Sequence, residues 1–166
     1  MKIIVRLVLL AALLALAFWL WTIFFPRPEK VIRKQLLGLA QDASFSQNQN
    51  NLIKIAHAQS IVDYFTTNVV INITGPDHGQ AVNLSYDEIT ATALAVQQHV
   101  TDVDVKFPDI VVTVAPDKNS ATAEVTLDAT ISGEHDAVLQ ELKFGFEKDD
   151  GHWLINHVET VQVISK

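Results

Sequence analysis

The chain contains no cysteine among its 166 residues. This absence excludes a disulfide framework, a thiolate-ligated metal and a cysteine nucleophile. The sequence also lacks the glycine-rich patterns of nucleotide-binding loops and the G-x-S-x-G pattern of serine hydrolases. No D-x-D-x-D-G loop is present, which excludes an EF-hand calcium site. We therefore predict neither a metal nor a cofactor.

Basic residues are scarce beyond residue 35, where six lysines face eighteen acidic residues. Because binding to a phosphate backbone requires a basic surface, we do not predict nucleic acid as a partner. Residues 1–35 have the opposite balance, with six basic residues and one acidic residue. A basic cluster beside an apolar segment suits the anionic headgroups of a membrane.

Charge is absent altogether from Leu7 to Phe25, which reads LVLLAALLALAFWLWTIFF. A helix of this length spans roughly 28 Å, close to the thickness of a bilayer's hydrocarbon core. We predict an uncleaved transmembrane anchor over residues 1–28, in contact with lipid through residues 7–25, followed by one domain over residues 29–166. The alternative is a cleaved signal peptide with Ala15-Leu16-Ala17 as the cleavage site. Cleavage there would leave FWLWTIFF as an exposed apolar terminus.

The orientation of this anchor rests on two opposing signals. A short N-terminal tail usually stays inside, which predicts a single-pass protein whose C-terminal domain is extracytoplasmic, on the periplasmic side. The four basic residues that follow the segment outnumber the two that precede it, which favours the reverse orientation.

Three helices are predicted in the first two thirds of the domain. Pro26 and Pro28 end the anchor, and an amphipathic helix follows them. A second helix is expected from Leu52 to Phe65, capped by Asn50 or Asn51. The third begins at the capping box Ser85-Tyr86-Asp87-Glu88 and ends near Val100.

The remaining pattern has the two-residue period of strands. Residues 69–73 form a short strand, and TGPDHGQ breaks it. Residues 102–115 alternate around a bend at Pro108, and residues 121–131 alternate most regularly. Residues 136–148 and 152–165 form a hairpin joined by Asp149-Asp150-Gly151. The order predicts an α+β fold in which about three helices pack on a curved antiparallel sheet to form a cone.

Four segments carry a resemblance to a known family: IVDYFTTNVVINI, LSYDEI, SATAEVTLDAT and FEKDDGHWLINHVETVQV. Over roughly residues 29–165 the chain resembles the nuclear transport factor 2-like superfamily, also called the SnoaL-like or cystatin-like cone fold. That superfamily includes isomerases, dehydratases and carrier-binding modules, so the resemblance implies a fold without choosing an activity. Its members often pair through the sheet, which implies a homodimer here.

The last strand contains the first candidate site. Side chains two apart share a face, so Trp153, Ile155, His157 and Glu159 are expected to point into the cone. His152 has the other parity, which argues against a metal held by both histidines. His157 beside Glu159 could act as a general base or bind a ligand. Alternatively the two form a pair at the rim, or a bulge near Asn156 reverses the parity and turns His157 outwards.

Three further residues are candidates by position. His57 lies beside the apolar stripe of the second helix, and Tyr64 follows it seven residues later on a similar face. Gln140 shares the parity of the apolar residues of its strand and is expected to bind a ligand inside the cone. A structural role remains the alternative for His57.

The chain departs from the active members of the superfamily in lacking an aspartate inside the cone. Asp63, Asp104 and Asp128 are all expected to face outwards, so the acid–base set of the isomerase type is incomplete. We therefore predict a membrane-tethered, non-catalytic binding or scaffold module. Its partner would be an envelope protein, a second copy or a small hydrophobic ligand. The alternative is a small-molecule isomerase or dehydratase that uses His57, Tyr64 and His157.

Overall fold

The computed structural model describes residues 12–16, 27–46, 48–75, 78–132 and 138–163. After the helical residues 12–16, three helices and six strands follow one another in these ranges. They are α1 (Pro28–Ala43), α2 (Asn51–Val62), β1 (Phe65–Gly75), β2 (His78–Ser85), α3 (Tyr86–His99), β3 (Val103–Val114), β4 (Ser120–Ile131), β5 (Val138–Asp149) and β6 (His152–Val163).

The predicted membrane span falls mostly outside the described residues. Of residues 7–25, only 12–16 are described, and they are helical. Among the described residues, no helix is both long enough and apolar enough to cross a bilayer.

The three helices begin where the sequence signals predict. Pro28 stands in the first turn of α1, where its missing N–H costs no hydrogen bond. The Asn50 side chain caps α2 by accepting a hydrogen bond of 2.9 Å from the Leu52 backbone. At the start of α3, Glu88 accepts a 2.8 Å bond from the backbone N–H of Ser85, as a capping box requires.

Helix α2 ends three residues earlier than predicted. Asp63 and Tyr64 form a turn, and Phe65 already pairs with Ile155 of β6. The β-branched run that follows, Thr66-Thr67, favours an extended chain. Phe65 therefore belongs to the sheet.

The six strands form one curved sheet in the order β2-β1-β6-β5-β4-β3. The prediction of an antiparallel sheet is wrong at one junction, because β1 and β6 run parallel. The final strand is inserted between the first and the fifth, a pairing between distant segments that local sequence does not encode. Strand β2 was not predicted either; it pairs with β1 from Gly75–His78 to Asn68–Ser85.

The turns and the bend follow the predicted chemistry. Asp150 and Gly151 both have positive φ, 45° and 87°, as the two central residues of a type I′ hairpin turn require. The register of β3 shifts between Lys106 and Asp109, around Pro108. This bulge lets Phe107 and Ile110 both face the core.

One face of the sheet, here called the inner face, packs against the helices and builds the core. Its buried residues include the alternating apolar positions predicted for β4, together with large residues of β5 and β6: Ala121, Ala123, Val125, Leu142, Phe144, Phe146, Trp153 and Ile155. Among the described residues the fully buried set contains no polar or charged side chain. The opposite face, called the outer face, carries threonines and charged residues.

The free edge of the sheet at β3 is covered by the chain itself. Helix α1 packs across β3, and the Arg33 guanidinium donates a hydrogen bond to the carbonyl of Ile110. Phe45 and Val103 exchange two backbone hydrogen bonds of 2.9 Å. Covering an edge strand in this way blocks the addition of a further strand.

Candidate functional site

The structure places His157 and Glu159 on the outer face, so the expectation that they point into the cone is wrong and the alternative of a bulge near Asn156 is confirmed. Gly145 pairs with His157, but the next pair is Phe146 with Ile155, which leaves Asn156 as an extra residue in β6. Such a bulge reverses the alternation of side chains. Val158 is consequently buried at 5% exposure, whereas the His157 side chain is 37% exposed.

A glycine opposite the bulge makes this arrangement possible. Gly145 lies between Phe144 and Phe146, and a Cβ there would stand 2.9 Å from the Asn156 side chain and 3.2 Å from the His157 Cβ. Any larger residue would compete for the space that these two side chains occupy on the outer face.

His157, Glu159 and Lys143 form a small charged group there. The Glu159 carboxylate lies 3.3 Å from His157 Nε2 and 3.4 Å from Lys143 Nζ. The hydrogen bond from His157, followed by that from Lys143, lowers the pKa of Glu159. Because the group is partly exposed, its chemistry is that of a solvated ion pair.

His57 and Tyr64 do come together, through an aspartate that the sequence analysis did not single out. The Tyr64 hydroxyl donates a 2.7 Å hydrogen bond to Asp42 of α1. His57 Nδ1 lies 3.6 Å from the other oxygen of the same carboxylate and has no hydrogen-bond partner among the described atoms. Gly38 stands one turn before Asp42, and a Cβ there would lie 2.7 Å from the Tyr64 hydroxyl.

The chemistry of this cluster is constrained by its geometry. Burial, followed by the hydrogen bond to Asp42, raises the pKa of Tyr64 to about 12. The phenol is therefore protonated at neutral pH, and its hydroxyl hydrogen is engaged in the hydrogen bond to Asp42. The same residue also anchors the sheet, because its carbonyl accepts a 2.8 Å bond from the Ile155 backbone. The His57 ring retains a buried Nδ1 without a hydrogen-bond partner among the described atoms.

Gln140 lies apart from both groups. It is half-buried, pairs with Leu127 and Val163, and shares the side of Leu142. Five residues of β5 separate it from Gly145, roughly 17 Å along the strand. The structure therefore does not bring Gln140 together with His157, Glu159 or the His57 cluster.

Two concave regions occur near these groups, on different sides of the molecule. A groove of about 710 Å³ runs between α2 and α3, lined in part by Gln59, Asp63, Tyr86 and Asp87. Neither His57 nor Tyr64 lines it. A smaller depression of about 170 Å³ lies on the outer face of β3, β4 and β5, beside Val161 of β6. We call it the outer basin. No cluster of three or more metal-binding side chains occurs in the described part of the chain.

Solved structures with this arrangement of helices and strands are numerous. A nuclear transport factor 2-like protein of unknown function from Pseudomonas putida KT2440 superposes with a TM-score of 0.60 at 12% identity, covering 82% of this chain and 87% of its own. A candidate scytalone dehydratase from Novosphingobium aromaticivorans DSM 12444 gives 0.58 at 12% identity, with coverages of 82% and 86%. Yeast UBP3-associated protein BRE5 gives 0.59 at 10% identity, with coverages of 82% and 95%.

These similarities establish the fold. The chain has the nuclear transport factor 2-like, cystatin-like cone fold that the sequence resemblance implies. No protein-family model matches the chain, and no curated protein matches its sequence. The same fold occurs in proteins described as enzymes and as associated proteins, so it does not choose an activity.

Proposed function

We propose that this protein is a membrane-tethered, non-catalytic binding or scaffold module that holds a protein partner on the outer face of its sheet. The observation that carries the proposal is a set of exposed valines. Val70, Val111 and Val161 are 37%, 52% and 55% exposed. A sheet face that meets only water is normally polar at these positions, so exposed apolar residues there favour an interface.

The inner face is a poor candidate for the same role. Phe144, Phe146, Trp153 and Ile155 fill the space between the sheet and the helices at 5% exposure or less. A ligand inside the cone would have to displace these side chains from close packing. The outer face offers its side chains without any such rearrangement.

Tethering is supported by residues within the apolar segment and by residues of the helix that follows it. Leu13, Leu14 and Leu16 are 64%, 64% and 54% exposed in the described helical stretch. In a bilayer these leucines would contact acyl chains. Lys30 and Lys34 are exposed on α1, where they would meet headgroups. We propose an uncleaved anchor with the domain on the extracytoplasmic side.

Photo-crosslinking of the full-length chain in its native membrane tests the proposal. A benzophenone amino acid is placed at Val161, and at Asp149 as a control that is exposed at the β5–β6 turn. We expect a discrete product from position 161 and none from position 149. The mass of the product separates a different protein from a second copy. Equal products from both positions, or none, would refute the outer face as the binding surface.

An enzyme of the isomerase or dehydratase type is the second candidate, favoured by the cluster of Asp42, Tyr64 and His57. It brings the Asp42 carboxylate within 2.7 Å of a phenol and 3.6 Å of an imidazole. Fold neighbours include a candidate aromatic ring hydroxylase and a candidate scytalone dehydratase. Here His57 would exchange a proton with the substrate, while Tyr64 and Asp42 would position the ring.

Native mass spectrometry of the full chain in detergent distinguishes the two candidates. A co-purifying small molecule that is lost in His57→Phe, with folding unchanged, would favour the enzyme. A chain that carries no small molecule, together with the crosslink at position 161, would favour the scaffold.

A further inference from the structure

The outer basin joins apolar and acidic side chains in one depression. Val125 and Leu142 also line it, but their side chains are buried on the inner face of the sheet. Val111 and Val161 stand at its sides, each more than half exposed. The carboxylates of Asp109, Glu124 and Glu141 complete its lining together with Thr126. The basin is therefore flanked by exposed valines and surrounded by carboxylates.

Strand pairing fixes the spacing of these carboxylates. Asp109, Thr126 and Glu141 are consecutive neighbours across β3, β4 and β5, which places the two acids roughly 10 Å apart. Glu124 lies two residues from Thr126 on the same face of β4. The three acids thus enclose an area about the size of one long side chain.

These three carboxylates lack the partners that the neighbouring acid has. Glu159 is paired with Lys143 and His157. Asp109, Glu124 and Glu141 form no ion pair with any basic side chain that the structure describes. Lys143, the cross-strand neighbour of Glu124, is paired with Glu159, and Lys30 and Arg33 of α1 line an adjoining depression with Asp109 and Val111. An unpaired acidic rim around exposed valines attracts a cationic group with an apolar stem.

We propose that the partner presents a basic surface to the outer face and inserts an arginine side chain into the outer basin. This inference rests on the proposed binding function and specifies the chemistry of its partner. The aliphatic stem would lie against Val111 or Val161, which stand on β3 and β6 at opposite sides of the basin. The planar guanidinium would donate hydrogen bonds to two of the three carboxylates, a geometry that arginine satisfies better than lysine.

A second copy of this chain is disfavoured as the occupant. In a two-fold dimer through this face, the three basin carboxylates of each copy would meet the same three on the other. Like charges at an interface oppose association. The acidic face would likewise be repelled by anionic lipid and by nucleic acid. A basic protein surface is the occupant that complements it.

The test measures binding of synthetic peptides to the full-length chain in nanodiscs by fluorescence anisotropy. One decapeptide alternates arginine and valine, and a matched decapeptide alternates glutamate and valine. The variant Glu124→Gln/Glu141→Gln removes two charges from the basin. The control variant Asp149→Asn/Asp150→Asn removes two charges from the β5–β6 turn, where both residues are exposed. Unfolding curves verify that both variants remain folded.

We expect the arginine peptide to bind and the glutamate peptide not to bind. Loss of the basin carboxylates should weaken binding by about tenfold, while the control changes it by less than about twofold. Equal weakening by both variants would mean that binding depends on the net charge of the protein and not on the basin, which would overturn the inference. Absence of binding would overturn it too.

Two results separate this inference from the function on which it rests. A crosslink from position 161 to a protein partner without arginine-peptide binding would leave the scaffold function standing and refute the basic partner. A crosslink to a second copy would refute it as well, and would show that the face is used for self-association.

Discussion

The two faces of the sheet are built on the same strands but carry side chains of different polarity and burial. On β4, Ala123 and Val125 point inwards and are buried, while Thr122 and Glu124 between them are exposed. The inner face has the close packing that determines the fold. The outer face retains valines and unpaired carboxylates that packing does not require. The contrast indicates that the packing that stabilises the fold lies mainly on one side of the sheet, and we propose that recognition uses the other.

The largest expected effect comes from a cavity in the inner face. Phe146 is 2% exposed, so Phe146→Ala should lower the free energy of unfolding by about 3–5 kcal/mol. The matched outer-face change, Val111→Ala, should alter it by less than about 0.5 kcal/mol. Urea unfolding monitored by tryptophan fluorescence gives both values. Similar losses from the two variants would break the distinction between the faces.

The effect of Gly38→Ala on the free energy of unfolding is expected to depend on the residue at position 64, destabilising beside tyrosine and stabilising beside phenylalanine. In the native background its Cβ would meet the Tyr64 hydroxyl at 2.7 Å, and relieving this contact should cost about 1–3 kcal/mol. With Tyr64→Phe the obstructing oxygen is gone, and the helix propensity of alanine should then stabilise by up to about 1 kcal/mol.

A double-mutant cycle measured by chemical unfolding supplies this comparison. Destabilisation of equal size in both backgrounds would mean that the hydroxyl is not what limits the space beside α1.

Alkaline pH should weaken the link between α1 and the sheet. The folded-state pKa of Tyr64 is raised from 10.0 to about 12, so its stabilising effect is complete below pH 10 and is lost as the pH rises towards 12. Solvent screening limits the loss to about 1 kcal/mol. Tyr64→Phe should remove this component, while Tyr86→Phe, at an exposed tyrosine, should not. Identical pH profiles for the two variants would contradict the assignment.

The smallest effect is expected on the outer face. His157→Ala should change the free energy of unfolding by less than about 0.5 kcal/mol, because the ion pair with Glu159 is partly exposed. It should nevertheless raise the pKa of Glu159, which His157 now lowers. Stability supplied by Glu159 is present above its unfolded-state pKa and lost as the pH falls through the folded one.

NMR titration of the carboxyl carbon measures that pKa directly. A large loss of stability in His157→Ala would assign His157 a structural role instead.

Local patterns were sufficient where the determining interactions are local. Side-chain chemistry within a few residues was enough to predict four features: the caps at Asn50 and Ser85, the Asp150-Gly151 turn and the alternation of β4. The family resemblance supplied the cone fold. The parallel pairing of β1 with β6 joins residues such as Val70 and His157, which are far apart in the chain, so local sequence could not indicate it.

The candidate site was harder to predict because it depends on pairs of distant residues. The bulge at Asn156 reverses the parity of His157, and the space for it comes from Gly145 on another strand. Asp42 gave no motif of its own, although Gly38 one turn earlier on α1 signalled a close approach. The outer basin assembles side chains from four strands. In the sequence, its acidic residues occupy outward positions of the strands, a pattern that is typical of any solvated surface.

Carboxyl footprinting of the full-length chain tests most directly whether the outer face is the partner-binding surface. A carbodiimide reagent labels the protein in its native membrane and after purification in detergent, and mass spectrometry reports labelling at each residue. We expect Glu124 and Glu141 to be protected in the membrane and labelled after purification, while Asp149 and Asp150 are labelled equally in both. Equal labelling of Glu124 and Glu141 in the two preparations would contradict the account.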